Sequence, residues 1–183
     1  MENCVKAILY CYPSLGGVEE GYYQHIKNKA VLSSDGRLSA QRAAEDIALE
    51  ILRKGKVREL KNLATMAISK LTTEEKLLLD VRYFGKMDRV KRIFAAKYAG
   101  IADEEMNCIK IWSERTYFRK QKRLLIKLVE RFEELGLTKE RFANEFADLD
   151  GVSAVYTYVE LGKDVCIEKR EQAFLSFLER IRN

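Results

Sequence analysis

The chain has one proline, one histidine and ten glycines among 183 residues, so few positions can break a helix or bend the backbone sharply. The scarcity of proline and glycine also argues against a long linker. Its four cysteines, Cys4, Cys11, Cys108 and Cys166, include no C-x-x-C pair, and His25 is the lone imidazole. Structural zinc needs clustered thiolates or imidazoles, so no metal site is expected. No apolar run approaches the roughly 20 residues a membrane span needs. "MENCVKAILYCYPS" has no basic lead and no cleavage-type site, so a secretory leader is not expected either. With no phosphate-binding glycine loop, metal box or nucleophile motif, neither an enzyme nor a cofactor is expected. The expected setting is the reducing cytoplasm, with Cys4 and Cys11 packing as small apolar groups on one side of a helix.

What is present is helix-forming. Hydrophobic residues make up 47% and charged residues 33%, an ordinary globular balance rich in Leu, Ala, Glu, Lys and Arg. The pattern predicts short helices at 2–11 and 18–31, divided by Pro13 and the Gly16–Gly17 pair, then a loop over 33–37. Ser39 is placed to cap a helix to about residue 54, where Gly55 interrupts, with a further helix over 57–69. Thr72 and Glu75 form a capping-box pair ahead of "KLLLDVRYF", with Leu71 as a candidate staple. Helices are then expected at 87–99, 103–110 and 113–135, the last ended by Gly136. Three more are expected at 138–147, 151–161 and 165–182, although the alternating Val and Tyr of "VSAVYTYVEL" also suit a strand. The expected class is all-α, a multi-helix bundle. It divides into an N-terminal region (1–70), a middle domain (71–136) and a C-terminal tail (137–183).

Charge is unevenly spread. Residues 82–127 hold thirteen Lys or Arg against five Asp or Glu, a net of +8 in a chain whose total is +5. The excess culminates in "WSERTYFRKQKRL" at 112–124, with five cations and one carboxylate. On a helix started by Ser113, Tyr117, Leu124 and Leu128 face the core, with Gln121 between them. Arg115, Arg119, Lys122 and Arg123 share a separate side, flanked by Thr116 and Lys120. A solvated helix side usually interleaves carboxylates at i+3 or i+4. Here Glu114 is the only carboxylate between residues 106 and 129. A capped basic helix preceded by a short helix and a tight turn has the layout of a helix-turn-helix, whose second helix enters the major groove.

Other features read more plainly. In "GYYQHIKNK" Tyr22 and Ile26 have core spacing, and His25 suits a surface or capping role. The run "RKGKVRELK" at 53–61 reads as a solvated helix, the alternative being an extended phosphate surface.

"LTTEEKLLLDVRYFGK" followed by "WSERTYFRKQKRLL" resembles the fourth conserved region of bacterial sigma factors. More closely, it resembles the sigma-like RinA/ArpU-type transcription regulators of phages and Firmicutes, with residues 18–70 and "LTKERFANEF" similar to a clostridial subgroup. The resemblance covers about 71–128. It implies a sequence-specific regulator bound to double-stranded DNA through Arg115, Thr116, Arg119, Lys122 and Arg123, with Lys120 beside them. Tyr117 and Leu124 would be buried anchors, and Trp112 would plug the motif's core. RNA polymerase and a second copy of the chain are the further partners expected. The family's turn usually carries Gly or Asn two residues before the cap and a buried Leu before that. Here Ile111 and Lys110 occupy those places, and the insert between Phe84 and Ser113 is long. The competing expectation is therefore a helical protein-interaction adaptor that keeps the motif as a scaffold without binding DNA.

Overall fold

The structure, a computed structural model, describes residues 1–34, 39–84 and 114–162. Every described element is helical, and no strand occurs among the described residues. We number the described helices α1 (Glu2–Ser34), α2 (Ala40–Ser69), α3 (Thr73–Leu79), α4 (Glu114–Glu134), α5 (Lys139–Glu145) and α6 (Val152–Glu160). A single π-helical turn, Asp80–Phe84, continues α3.

α1 and α2 form an antiparallel hairpin whose register is written in cross-helix contacts. Tyr12 meets Thr65 at 3.2 Å, Glu19 meets Arg58 and Lys61, His25 meets Glu50, and Lys29 meets Asp46 at 3.2 Å. The sequence-based break at Pro13, Gly16 and Gly17 does not occur, because α1 runs through all three and ends at Ser34. The core supplies the reason. Cys4, Val5, Ala7, Ile8, Leu9, Tyr10, Cys11 and Leu15 are buried almost all round, so packing holds the helix while Pro13 stands on its exposed side. Likewise α2 passes through Gly55 without interruption, anchored on either side by Ala43, Val57 and Leu60. Ser39 occupies the N-cap position of α2, but its side chain makes no capping bond.

The capping box at α3 is formed. Thr72 Oγ1 accepts from the Glu75 N–H at 3.2 Å, and Glu75 Oε2 accepts from the Thr72 N–H at 2.9 Å. Leu71 is buried, yet the position that would staple to it is the exposed Lys76, so Leu71 serves the core instead. α4 ends at Gly136 as its sequence suggests. Gly136 N–H donates to Glu133 C=O and Leu137 N–H to Phe132 C=O, both at 2.9 Å, with Gly136 at φ +78°. This is a Schellman closure, sealed by the buried Phe132 and Leu137. Thr138 caps α5, and "VSAVYTYVEL" is helical, as α6.

One core serves all described helices, from Cys4 on α1 through Leu79 and Leu128 to Val159 on α6. Tyr22, expected in the core, is fully buried and donates to Asp150 Oδ2 at 3.0 Å, tying α1 to the turn before α6. Burial, then the charge of Asp150, raises the Tyr22 phenol well above its ordinary range. His25 departs from its expected surface role: it is largely buried in the hairpin seam, with Nδ1 3.4 Å from Glu50 Oε1. Cys4 and Cys11 are buried free thiols. The expected helices at 87–99, 103–110 and 165–182, together with Cys108 and Cys166, lie outside the described residues. No helix among the described residues is long and apolar enough to cross a membrane.

Candidate nucleic-acid interface

α4 is positioned by its apolar stripe. Leu124, Leu125, Leu128 and Phe132 are buried in the shared core, and Gln121 Nε2 donates to Leu78 C=O at 2.8 Å. Arg131 Nη1 donates to Ala67 C=O at 3.2 Å, satisfying one of the terminal carbonyls of α2. The core-facing placement of Leu124, Leu128 and Gln121 thus matches the sequence pattern. Tyr117's side chain, and Lys110, Ile111, Trp112 and Ser113, which carry the turn and cap of the expected motif, lie outside the described residues.

The opposite side of α4 holds the cations. Arg115, Arg119, Lys122 and Arg123 are all exposed, and none makes an ion pair or hydrogen bond among the described residues. At helical spacing they fall within an arc of about 100°. Thr116 and Lys120 flank them, partly buried. Lys120 differs from the four, because its ammonium is paired with Glu74 of α3. About two turns further on, Lys127 donates to Glu75 Oε1 at 2.6 Å.

The compensating carboxylates missing from α4 therefore come from α3, and they reach only one flank of the stripe. Spacing within α4 contains no signal for this, since the pairs join residues 46 and 52 apart. Burial pushes the Glu75 carboxyl up, but its bonds from Lys127 and from Thr72 outweigh that and hold it below the usual carboxylate range.

The second basic run offers a direct contrast. Arg53 lies 3.8 Å from Asp150, Lys56 4.0 Å from Asp148, and Arg58 and Lys61 share Glu19 at 2.7 and 3.1 Å. Lys54 sits over the Tyr23 ring at 4.6 Å. Every cation of 53–61 is thus engaged by groups of α1, or of the turn before α6, in support of the solvated-scaffold reading. The four cations of the α4 stripe, by contrast, have no such engagement among the described residues.

Two residues of this side escaped the sequence reading. Phe118 and Ile126 are each 50% exposed. Ile126 continues the line of Arg115, Arg119 and Lys122, while Phe118 stands three residues after Arg115 and four before Lys122. Both were legible from helical spacing, had the exposed side been read for apolar residues as well as for charge.

Among the described residues no three His, Cys, Asp or Glu side chains converge as metal ligands. Comparison with protein-family models, curated proteins and solved structures finds no match to this chain.

Proposed function

We propose that the chain is a sequence-specific DNA-binding regulator of transcription, in which the first half of α4 lies in the major groove of double-stranded DNA. The observation that carries this reading is the row of Arg115, Arg119, Lys122 and Arg123, exposed and without an ion pair or hydrogen bond among the described residues, on a helix whose other side is locked into the core. Arginine can pair bidentately with guanine, and cations further along neutralise phosphates. Thr116 and Lys120 border the contact, with Lys120 exchanging Glu74 for a phosphate. α3 braces α4 through Gln121, Lys120 and Lys127, so the helix is presented on a rigid support. The resemblance of residues 71–128 to sigma region 4 regulators points the same way. On that resemblance the protein acts in the cytoplasm, with RNA polymerase and a second copy as further partners.

The test is a salt titration against random duplex DNA. With four to five phosphates neutralised, log affinity falls against log salt with a slope of roughly −4. A random duplex pool should in addition yield an enriched sequence. Absence of measurable binding at low salt overturns the proposal.

A second reading has its own observation. On α2, Leu49, Ile51 and Leu52 are well exposed on one stretch of helix, as an interaction adaptor would require. In that case the titration shows no DNA binding and the α4 cations meet an acidic protein.

A further inference from the structure

Tyr22 and Arg53 both meet Asp150, at 3.0 and 3.8 Å, and that carboxylate marks the edge of the core. Beyond it the hairpin runs on through residues 23–34 of α1 and 40–52 of α2, where Ala43 is the only buried residue described. Among the described residues, this end holds six of the ten large apolar side chains left exposed: Tyr23, Val31, Leu32, Leu49, Ile51 and Leu52. Single exposed apolar residues are ordinary, whereas such a cluster marks an interaction surface. Leu60 and Ala67 follow Leu49 by about three and five whole turns of helix. Both are buried in the core, yet Leu49 on the same line is 59% exposed. Leu52 stands about three turns before the buried Leu63 and is 65% exposed. The core-facing stripe of α2 thus continues past the elements that cover it. On α1, Leu32 lies about two turns beyond His25, on the side that meets Glu50.

Two helices with so little buried between them gain little from their pairing, but two such pairs can bury their stripes in a common four-helix core. Charge selects the occupant. Residues 23–34 carry Lys27 and Lys29 and no carboxylate, a net of +2 with His25 neutral. Residues 40–52 carry Arg42 against Glu45, Asp46 and Glu50, a net of −2. The surface is neutral as a whole, which suits neither a strongly acidic nor a strongly basic partner. Its two halves complement each other. A second copy turned about a two-fold axis sets each α1 half beside the other's α2 half, opposite in sign.

We infer that this end of the α1–α2 hairpin is the surface through which two copies of the chain associate, as a two-fold four-helix bundle. Leu49 and Leu52 of each copy meet Leu32 of the other. The inference deepens the proposed partnership with a second copy and rests on that part of the reading, not on DNA binding by α4.

Sedimentation equilibrium of the full chain without DNA, at stepped micromolar concentrations, should give twice the monomer mass at the upper end. The double variant Leu49→Asp, Leu52→Asp sets carboxylates into the shared core from both copies and should leave only monomer. Both positions are exposed in the single chain, so its helicity by circular dichroism should be unchanged. Leu52→Ala keeps a good helix former and alters the interface twice, so the dimer dissociation constant should rise at least about tenfold. Met66→Asp, at an exposed apolar residue of α2 outside this end, should leave the dimer intact. Monomer at every concentration overturns the inference. So does a dimer that survives both leucine changes, or one that dissociates equally in Met66→Asp. The salt titration of the unaltered chain against random duplex DNA reads α4 separately, so a chain that dimerises without binding DNA fails only the DNA-binding reading.

Discussion

Gly136 shows what one residue does for the whole arrangement. Its φ of +78° lets the chain turn back at the end of α4, so that Leu137 joins the core and Thr138 can start α5. A Cβ there would come no closer than 3.7 Å to Arg141 Nη1, an ordinary contact, so the cost of a side chain is conformational. Gly136→Ala should lose roughly 1–2 kcal/mol, the penalty of holding an L-residue in the left-handed region. It would be read as a lower urea midpoint at unchanged slope. An unchanged midpoint would mean that α4 ends some other way. Arg141 adds a second layer at this corner, bridging Glu145 at 2.9 Å and Glu59 of α2. Its bond to Glu145 raises its own pKa further.

At the scale of elements, the long helices α1 and α2 ignore their own breakers. Isolated, a helix with an internal proline or glycine is weakened by the lost hydrogen bond or by backbone entropy. Here tertiary packing restores the balance, since α1 buries residues from Cys4 to Tyr22 and α2 buries Ala43 and residues from Val57 to Ala67. Gly55 supports no close approach of any kind, because a Cβ added there meets nothing within 4 Å. Gly55→Ala should therefore stabilise the protein by about 0.5–1 kcal/mol, through higher helix propensity and a less flexible unfolded chain. Chemical denaturation measures it directly. A loss of stability instead would show that α2 needs glycine's freedom at this point.

For the molecule as a whole, two carboxylates pin separate pairs of helices. Glu19 on α1 is held below the ordinary range, first by its bond from Arg58 and, against the opposing effect of burial, by Lys61, both on α2. Glu75 on α3 is likewise lowered, with Lys127 of α4 and Thr72 overcoming burial. A carboxyl whose folded pKa lies below its unfolded one stabilises fully above the unfolded value, and that contribution is lost as pH falls through the folded one. Stability should thus hold down to about pH 5 and decline toward about pH 3. In the double variant Glu19→Gln, Glu75→Gln the decline over that window should be shallower, as followed by urea midpoints at stepped pH. An equally steep profile would move the acid sensitivity to other groups. The partners are partly solvent-exposed, so each pair contributes modestly at neutral pH.

Sequence alone determined the features whose physics is local. The all-α class follows from a helix-favouring composition with one proline. The capping box at Thr72 and Glu75, the stop at Gly136, and the core side of α4 with Leu124 and Leu128 depend on residues within a few positions of one another. Spacing therefore displays them. The segregation of Arg115, Arg119, Lys122 and Arg123 on one side is of the same kind. Tertiary structure decided what depends on distant partners. It carried α1 through Pro13 and α2 through Gly55, because burial against a neighbouring helix outweighs a local propensity. It drew His25 into the hairpin seam opposite Glu50. It also sorted the cations: those of 53–61 and Lys120 meet carboxylates or aromatic rings brought by other elements, while the four on the outer side of α4 meet none among the described residues. Charge along a chain can be counted, but whether it is neutralised depends on what folding sets beside it.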